Sequence, residues 1–354
     1  MKLKTIREVN VKNKTVLVRA DFNVPISEDG EVLSDLRIRA VMPTLEFLRE
    51  KGAKKIVIIS HLGRPEGRDK KLSLKPVAEV LNELVGRVKF VDDVSGSDVE
   101  AAAEKMKAGE ILLLENLRFY KGEEENSRDF IQEIIDSVGA EIYVQDGFAV
   151  LHRAHASTDA VAEFLPVYAG LLVEKEVSNL EKAITKPERP LLLIIGGAKV
   201  EDKAPLIEKF VGIADKIVVG GKIAADGYVA KSDKIYVVED FDEDGTGAKL
   251  DTGPVSTGKI AGFIADAKTV IWNGLLGKAE DVAYATASTI VAEMMGEKED
   301  AETIICGGDT TGFVENLMLE HPDLKYSLIS TGGGASLEFL LGKDLPGLAP
   351  LFIP

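Results

Sequence analysis

The run Ser330-Thr331-Gly332-Gly333-Gly334-Ala335-Ser336 places three consecutive glycines after an apolar stretch that begins near Tyr326. Glycine lets backbone N–H groups approach an anion closely, and a following helix adds its positive N-terminal end. This is the chemistry of a phosphate cradle. Related pairs recur through the second half of the chain: Gly196-Gly197, Gly220-Gly221, Asn273-Gly274 and Gly307-Gly308. A single such pair is ordinary turn chemistry. A set of them at successive strand ends points to phosphate. Lys199 and Lys203 follow the first pair at i and i+4, a spacing that shares a helix face. Asp309 and Thr310 follow Gly307-Gly308. There a carboxylate could hold Mg²⁺ while the hydroxyl and backbone hold phosphate oxygens. Asp309 also suits a helix N-cap, and the two roles are compatible.

The first half carries a different set. Arg19-Ala-Asp21-Phe22-Asn23, Arg37, His61-Leu62-Gly63-Arg64, Arg118 and His152-Arg153-Ala-His155 all fall at or just after strand ends. Arginine forms bidentate bonds to carboxylate and phosphate oxygens. One arginine alone reads as a surface ion pair. The group reads as convergence on a small anion carrying both phosphate and carboxylate. Asp21 and Asn23 would bond a substrate hydroxyl and orient the arginines. His152 and His155 lack a third ligand of suitable spacing, so a zinc site is not expected.

Two other motifs are set aside. Gly253-Pro-Val-Ser-Thr-Gly258-Lys259 fits seven places of a P-loop, but Ile260 stands where a Ser or Thr should reach Mg²⁺. The stretch Gly245 to Thr252 does not read as the strand such a loop needs, so a turn into a helix near Lys259 to Ala267 is expected. Asp240-Phe-Asp242-Glu-Asp244-Gly245 resembles the opening of a calcium loop, but Lys234 to Val238 before it reads as a strand, not a helix. A solvated acidic loop is expected, with a weak Ca²⁺ site as the minor alternative.

These residues need a scaffold that presents strand ends. Apolar runs rich in Val, Ile and Leu begin near Thr15, Lys55, Val88, Ile111, Glu141, Leu191, Lys216, Lys234, Thr269, Thr303 and Tyr326. Stretches of helical period, such as Arg37 to Lys51 and Asn126 to Val138, separate most of them. This pattern predicts an α/β protein of two Rossmann-like lobes, each a parallel sheet with helices on both faces. Open α/β sheets bind ligands beyond the carboxyl ends of their strands. The first lobe would present side-chain charge there, and the second bare backbone N–H groups. The expected division is 1–168, a hinge helix at 169–186 before Pro187-Glu-Arg-Pro190, a second lobe at 187–340, and an apolar tail at 341–354 that packs back on the first lobe.

The bulk numbers agree. A chain of 354 residues exceeds what one core usually serves. A net charge of −16 disfavours a broad nucleic-acid surface, so an anionic ligand needs a local cationic patch. The one cysteine, Cys306, suits a reducing compartment. No signal-like or membrane-spanning apolar run is seen, so a cytoplasmic protein with no membrane or nucleic-acid partner is expected.

The chain resembles phosphoglycerate kinase across nearly its whole length. The matching stretches are VLVRADFNVP, DLRIRAVMPTL, SHLGRPEG, LLLENLRFYKGEE, HRAHAST, AGLLVEKEV, GGAKVEDK, WNG, GGDT and STGGGASLEFL, in the family's order. The resemblance implies a glycolytic monomer that transfers a phosphoryl group reversibly between 1,3-bisphosphoglycerate and Mg·ADP, giving 3-phosphoglycerate and Mg·ATP. It implies that Asp21, Phe22, Asn23, Arg37, His61, Leu62, Gly63, Arg64, Arg118 and Arg153 bind the triose acid. Gly196, Gly197, Lys203, Gly220, Asn273, Glu280 and Gly307 to Thr310 would bind the adenine nucleotide, with Asp309 on Mg²⁺. Arg37, Lys199, Lys203, Gly308, Gly332 and Gly333 would surround the moving phosphoryl. Lobe closure would bring the ligands in line. The alternative is a non-catalytic relative that binds nucleotide or a partner; the retained Arg37, Lys199, Lys203 and Asp309 argue against it.

The departures from the family cluster where it holds the base. Its Gly-Leu-Asp pattern reads Lys249-Leu250-Asp251, and its Trp-Asn-Gly-Pro-x-Gly-Val pattern reads Trp272-Asn-Gly-Leu275-Leu-Gly-Lys278. The segment from Gly221 to Lys234 is shortened. A remodelled, less adenine-selective base pocket is expected.

Overall fold

The computed structural model describes residues 2–353. They form two compact units: one runs up to Lys175 and includes the stretch from Asp344, and the other is Glu176–Lys343.

The first unit holds the short strand β1 (Lys2–Leu3) and the sheet strands β2 (Thr15–Arg19), β3 (Lys55–Ile59), β4 (Val88–Phe90), β5 (Ile111–Leu113), β6 (Ile142–Gln145) and β7 (Val167–Ala169). Its helices are α1 (Leu36–Glu50), α2 (Lys75–Val85), α3 (Ser97–Glu104), α4 (Lys121–Glu124) and α5 (Arg128–Val138). The sheet is parallel throughout, in the order β4-β5-β3-β2-β6-β7. Every residue of β2, β5 and β6 is buried, as a sheet covered on both faces requires. Val16, Val18, Ile56 and Ile58 pack with Ile38, Val41 and Leu45 of α1 and Val77 and Leu81 of α2. The alternate residues Leu17, Val57 and Leu112 face the other side.

The helix α6 (Leu171–Thr185) crosses the division between units. Its first turn is capped by tertiary partners. Thr44 Oγ1 accepts from Leu171 N at 2.8 Å, and Asp146 Oδ1 accepts from Leu172 N at 3.0 Å.

The second unit contains β8 (Leu191–Ile195), α7 (Val200–Val211), β9 (Lys216–Val219), α8 (Gly221–Ala225), β10 (Ile235–Val237), β11 (Phe241–Glu243), β12 (Lys249–Thr252), α9 (Pro254–Asp266), β13 (Thr269–Asn273), α10 (Thr286–Gly296), β14 (Glu302–Cys306), α11 (Gly308–Glu320), β15 (Leu328–Ile329) and α12 (Gly334–Leu340). Its sheet is also parallel, ordered β10-β9-β8-β13-β14-β15. The strand order reverses between β8 and β13, the crevice where doubly wound sheets take ligands. Trp272, Val270 and Ile194 pack on Ile260 and Ile264 of α9 and Val291 and Met295 of α10, and α7 lies against β8 and β9. A last strand, β16 (Phe352–Ile353), pairs antiparallel with β1, so the tail that joins the first unit starts at Asp344, not at 341.

All eleven strands expected from the sequence are present, with starts shifted by at most two residues. The twelfth sheet strand, β7, was not expected. The stretch from Gly245 to Thr252, read as irregular, instead contains β12, which forms an antiparallel hairpin with β11. The following helix starts at Pro254, earlier than Lys259. No helix among the described residues is long and apolar enough to cross a membrane.

Candidate functional site

In the first unit, β2 leaves the sheet at Arg19 and β3 at Ile59, and their following loops carry most of the cationic set. Asp21 is buried and pairs with Arg37 of α1. Its Oδ1 also accepts from Asn23 N at 3.1 Å. Asn23 is exposed, and its Oδ1 accepts from Gly63 N at 2.8 Å, tying the two loops together. Arg118 donates to Gly63 O at 2.7 Å and its Nε stands 3.3 Å from Glu124 Oε1, yet its buried Nη2 has no hydrogen-bond partner. Arg153 is half-buried and Arg64 exposed.

The electrostatics record the convergence. Burial holds His61 well below its ordinary range, and Arg19, Arg118, Arg153 and Arg37 push it further. Burial also brings His155 down to about 4, helped by Arg118, Arg153 and Arg19. Arg118 itself falls to about 10 through burial and the neighbouring Arg153. Four guanidinium groups thus act on one neutral imidazole, a field that favours an anion.

Three of the sequence candidates have other duties. Arg19 is fully buried: its Nε donates to Ser157 Oγ at 2.8 Å, and Glu123, which accepts from Ser157 Oγ at 2.6 Å, stands 4.0 Å from its Nη2. Phe22 and Leu62 are core side chains, so only their backbone could meet a ligand.

In the second unit, a cavity of about 1030 Å³ opens at the β8/β13 crevice. Gly307, Gly308, Asp309 and Thr310 at the start of α11 line it, as do Lys199, Lys203, Gly333 and Gly334. Around the β11–β12 hairpin the wall takes in Gly221, Phe241, Lys249, Leu250 and Lys278, and Glu280, Gly197, Asn273, Gly274 and Leu275 also line the cavity. Lys203 donates to Asn273 Oδ1, and burial lowers its affinity for the proton. Asn273 Nδ2 is buried without a hydrogen-bond partner. Asp309 is exposed and has no ion-pair partner among the described residues. Thr310 is buried, and its Oγ1 accepts from Gly274 N at 2.8 Å, so this hydroxyl fastens α11 to the β13 loop.

The glycines divide into two kinds. A Cβ on Gly196 would collide with Leu275 O, and one on Gly274 with Gly196 O. These two let the β8 and β13 loops touch, and Gly196 stays behind the cavity wall. Gly220, packed against the Leu276 side chain, also does not line the cavity. Gly308 and Gly333 face open space instead. Gly332 does not line the cavity either, and its N–H is donated to Ser330 Oγ at 3.1 Å.

Lys199 and Lys203 line the same cavity but do not share a helix face, because Lys199 is the extended residue before α7. Glu176 was missed by sequence reasoning. It is buried, and its Oε1 accepts from Thr331 N at 2.7 Å and from Thr331 Oγ1 at 3.0 Å, fixing the start of the glycine loop.

Both set-aside motifs are structural. Gly258 and Lys259 lie within α9, and Lys259 pairs with Glu239 at 3.0 Å. Asp240 caps α9, accepting from Val255 N and Ser256 N at 2.8 Å each. Asp244 accepts from Thr246 N at 2.8 Å and Ala248 N at 3.0 Å, closing the β11–β12 turn.

The family described as Phosphoglycerate kinase matches residues 6–237 and 225–343. The chain is 40% identical over 400 aligned positions to the phosphoglycerate kinase of Coprothermobacter proteolyticus, covering all of both chains. It is 41% identical to that of Moorella thermoacetica, covering 98% of each. Among solved structures, the Coxiella burnetii phosphoglycerate kinase superposes with a TM-score of 0.79 at 31% identity, covering 99% of both chains. The Pyrococcus horikoshii OT3 enzyme gives 0.86 at 27% identity, covering 99% of this chain and 98% of that one.

Proposed function

This chain belongs to the phosphoglycerate kinase family and is a kinase, and on that premise we propose that it transfers a phosphoryl group reversibly between 1,3-bisphosphoglycerate and Mg·ADP. The second unit's cavity carries this reading: glycine backbone, Lys203 and an unpaired Asp309 meet at the switch point of a doubly wound sheet.

In this reading the arginines of the first unit hold the triose acid. Arg37, fixed by Asp21, and the unsatisfied Nη2 of Arg118 supply donors to its oxygens. Lys203 and the N–H groups at the start of α11 hold the nucleotide phosphates. Asp309 suits Mg²⁺, which takes one or two carboxylates and completes its shell with phosphate oxygens and water. The metal supplies charge neutralisation on the phosphates when bound. Phosphoryl transfer asks little covalent work of a protein, mainly in-line positioning and neutralisation. Acid and nucleotide are assigned to different units, so the reading includes closure of the units about α6. It also includes a cytoplasmic monomer.

The base end is remodelled. Lys249 and Lys278 replace small or apolar residues of the family pattern, which supports a pocket less selective for adenine. A panel of kcat/KM values for ADP, GDP and other diphosphates tests this, and a strong ADP preference would refute it.

A further inference from the structure

Resting on that reading of the cavity, we propose that Lys249 selects the base, and that it favours purines with a carbonyl oxygen at C6 over adenine. The geometry begins with the sheet. The phosphate-binding groups stand at the end of β14, and the β11–β12 hairpin lies against α8, which follows β9. Three strand spacings separate β14 from β9, about 14 Å. A nucleotide whose phosphates sit at Gly308 therefore brings its base to the hairpin.

The polar groups waiting there are unequal. Lys249 Nζ stands 4.6 Å from the centroid of the Phe241 ring. The ring anchors the ammonium through its π face without using a lone-pair acceptor, so the N–H donors stay available. Lys249 is exposed and has no ion pair among the described residues, whereas Lys222 is paired with Asp226 at 2.8 Å. Glu243, the register partner of Lys249 across the hairpin, does not line the cavity, and Asp251, which does, is already occupied: Oδ1 accepts from Thr252 N at 2.9 Å and Oδ2 from Ala287 N at 3.0 Å. Lys278 adds a second cation, its backbone N fixed to Leu250 O at 2.8 Å. Beside the Glu280 carboxylate, the wall thus offers two ammonium donors at the hairpin and withholds the Asp251 acceptor.

An ammonium can only donate. Guanine and hypoxanthine present an acceptor at O6, and adenine presents an amino donor there. Opposing two donors leaves both without a partner, and sites built to bond one group reject its replacement strongly.

The test compares ITP with ATP as donors to 3-phosphoglycerate, since these bases differ at the C6 substituent without guanine's extra amino group. The Kd values of IDP and ADP are measured by calorimetry in parallel. ITP is expected to match or exceed ATP in kcat/KM. In Lys249→Met the ITP:ATP ratio is expected to fall by about tenfold, the effect of one charge-assisted hydrogen bond. The change should appear in KM and in the IDP:ADP ratio of Kd values, and Lys249→Arg should restore it. A wild-type preference for ATP of tenfold or more, or a ratio that Lys249→Met leaves unmoved, overturns the proposal. Absence of turnover with either nucleotide would count against the phosphotransfer reading instead, and the calorimetric ratio would still decide the role of Lys249.

Discussion

Arg19 Nη2 lies 3.1 Å from His61 Nδ1. A guanidinium can only donate, so Nδ1 is the acceptor and the ring proton sits on Nε2. His61 is therefore a neutral donor, fixed by an arginine that Glu123 and Ser157 hold in turn. A lysine or a charged imidazole at this place would add a fifth cation to a crowded field.

From this, His61→Gln should retain a donor and keep kcat/KM within about tenfold, while His61→Ala should lose more, since removing a hydrogen bond to a charged ligand costs roughly 1.5–3 kcal/mol. The pH profile of kcat/KM should show no inflection from His61 between about pH 6 and 8, because its pKa is held below the ordinary 6.5. An inflection near pH 6.5 that disappears in His61→Gln would contradict the assignment.

Asp146 and His155 make stability depend on pH in opposite directions. His155 falls from 6.5 to about 4 on folding, so the stability it supports is complete above pH 6.5 and is lost as pH falls toward 4. Burial raises the Asp146 carboxyl from 3.8 to about 7, so its contribution is complete below pH 3.8 and is lost as pH rises through 7. Asp146→Asn removes only the second of these dependences. Its melting temperature relative to wild type should therefore rise from pH 5 to about pH 7 and level off above that. A difference that stays constant with pH would show that Asp146 is not protonated at neutrality.

The two kinds of glycine separate by substitution. Gly308→Ala puts a methyl into open cavity, so the melting temperature should stay near wild type while ADP binding weakens by about tenfold, the order of one lost phosphate contact. Gly274→Ala meets Gly196 O at a positive φ of 99° and should destabilise the fold itself. Equal losses of stability in both variants would contradict this division.

Gly258 offers a sharp test of the P-loop-like run. It sits inside α9 with nothing within 4 Å of an added Cβ. Gly258→Ala should therefore stabilise the second unit by about 0.5–1 kcal/mol through helix propensity. Lys259→Met should leave kcat/KM within about twofold, since exposed ion pairs such as Lys259–Glu239 contribute little. A loss of nucleotide binding in either variant would restore the phosphate-loop reading.

Much of the scaffold was legible because buried parallel strands are uniformly apolar, and the switch-point glycines follow them directly. The strand β7 escaped because it is a three-residue edge strand behind Pro166. The β11–β12 hairpin escaped because four of its seven strand residues are charged, leaving no apolar run to read. Within the sites, sequence located the right loops but not each residue's duty. Spacing could not tell that Lys199 precedes its helix, that Arg19 is a buried strut, or that Gly196 and Gly274 serve contact between loops. Those distinctions depend on long-range packing, as does Glu176, which lies 155 residues from the loop it fixes.

The most direct measurement is steady-state turnover of 1,3-bisphosphoglycerate with Mg·nucleoside diphosphate, for wild type and Arg37→Ala. Wild type is expected to produce 3-phosphoglycerate and nucleoside triphosphate, with Arg37→Ala slower by on the order of a hundredfold or more. Wild-type turnover no faster than that of Arg37→Ala, across adenine and 6-oxopurine diphosphates alike, would contradict phosphoryl transfer by this chain.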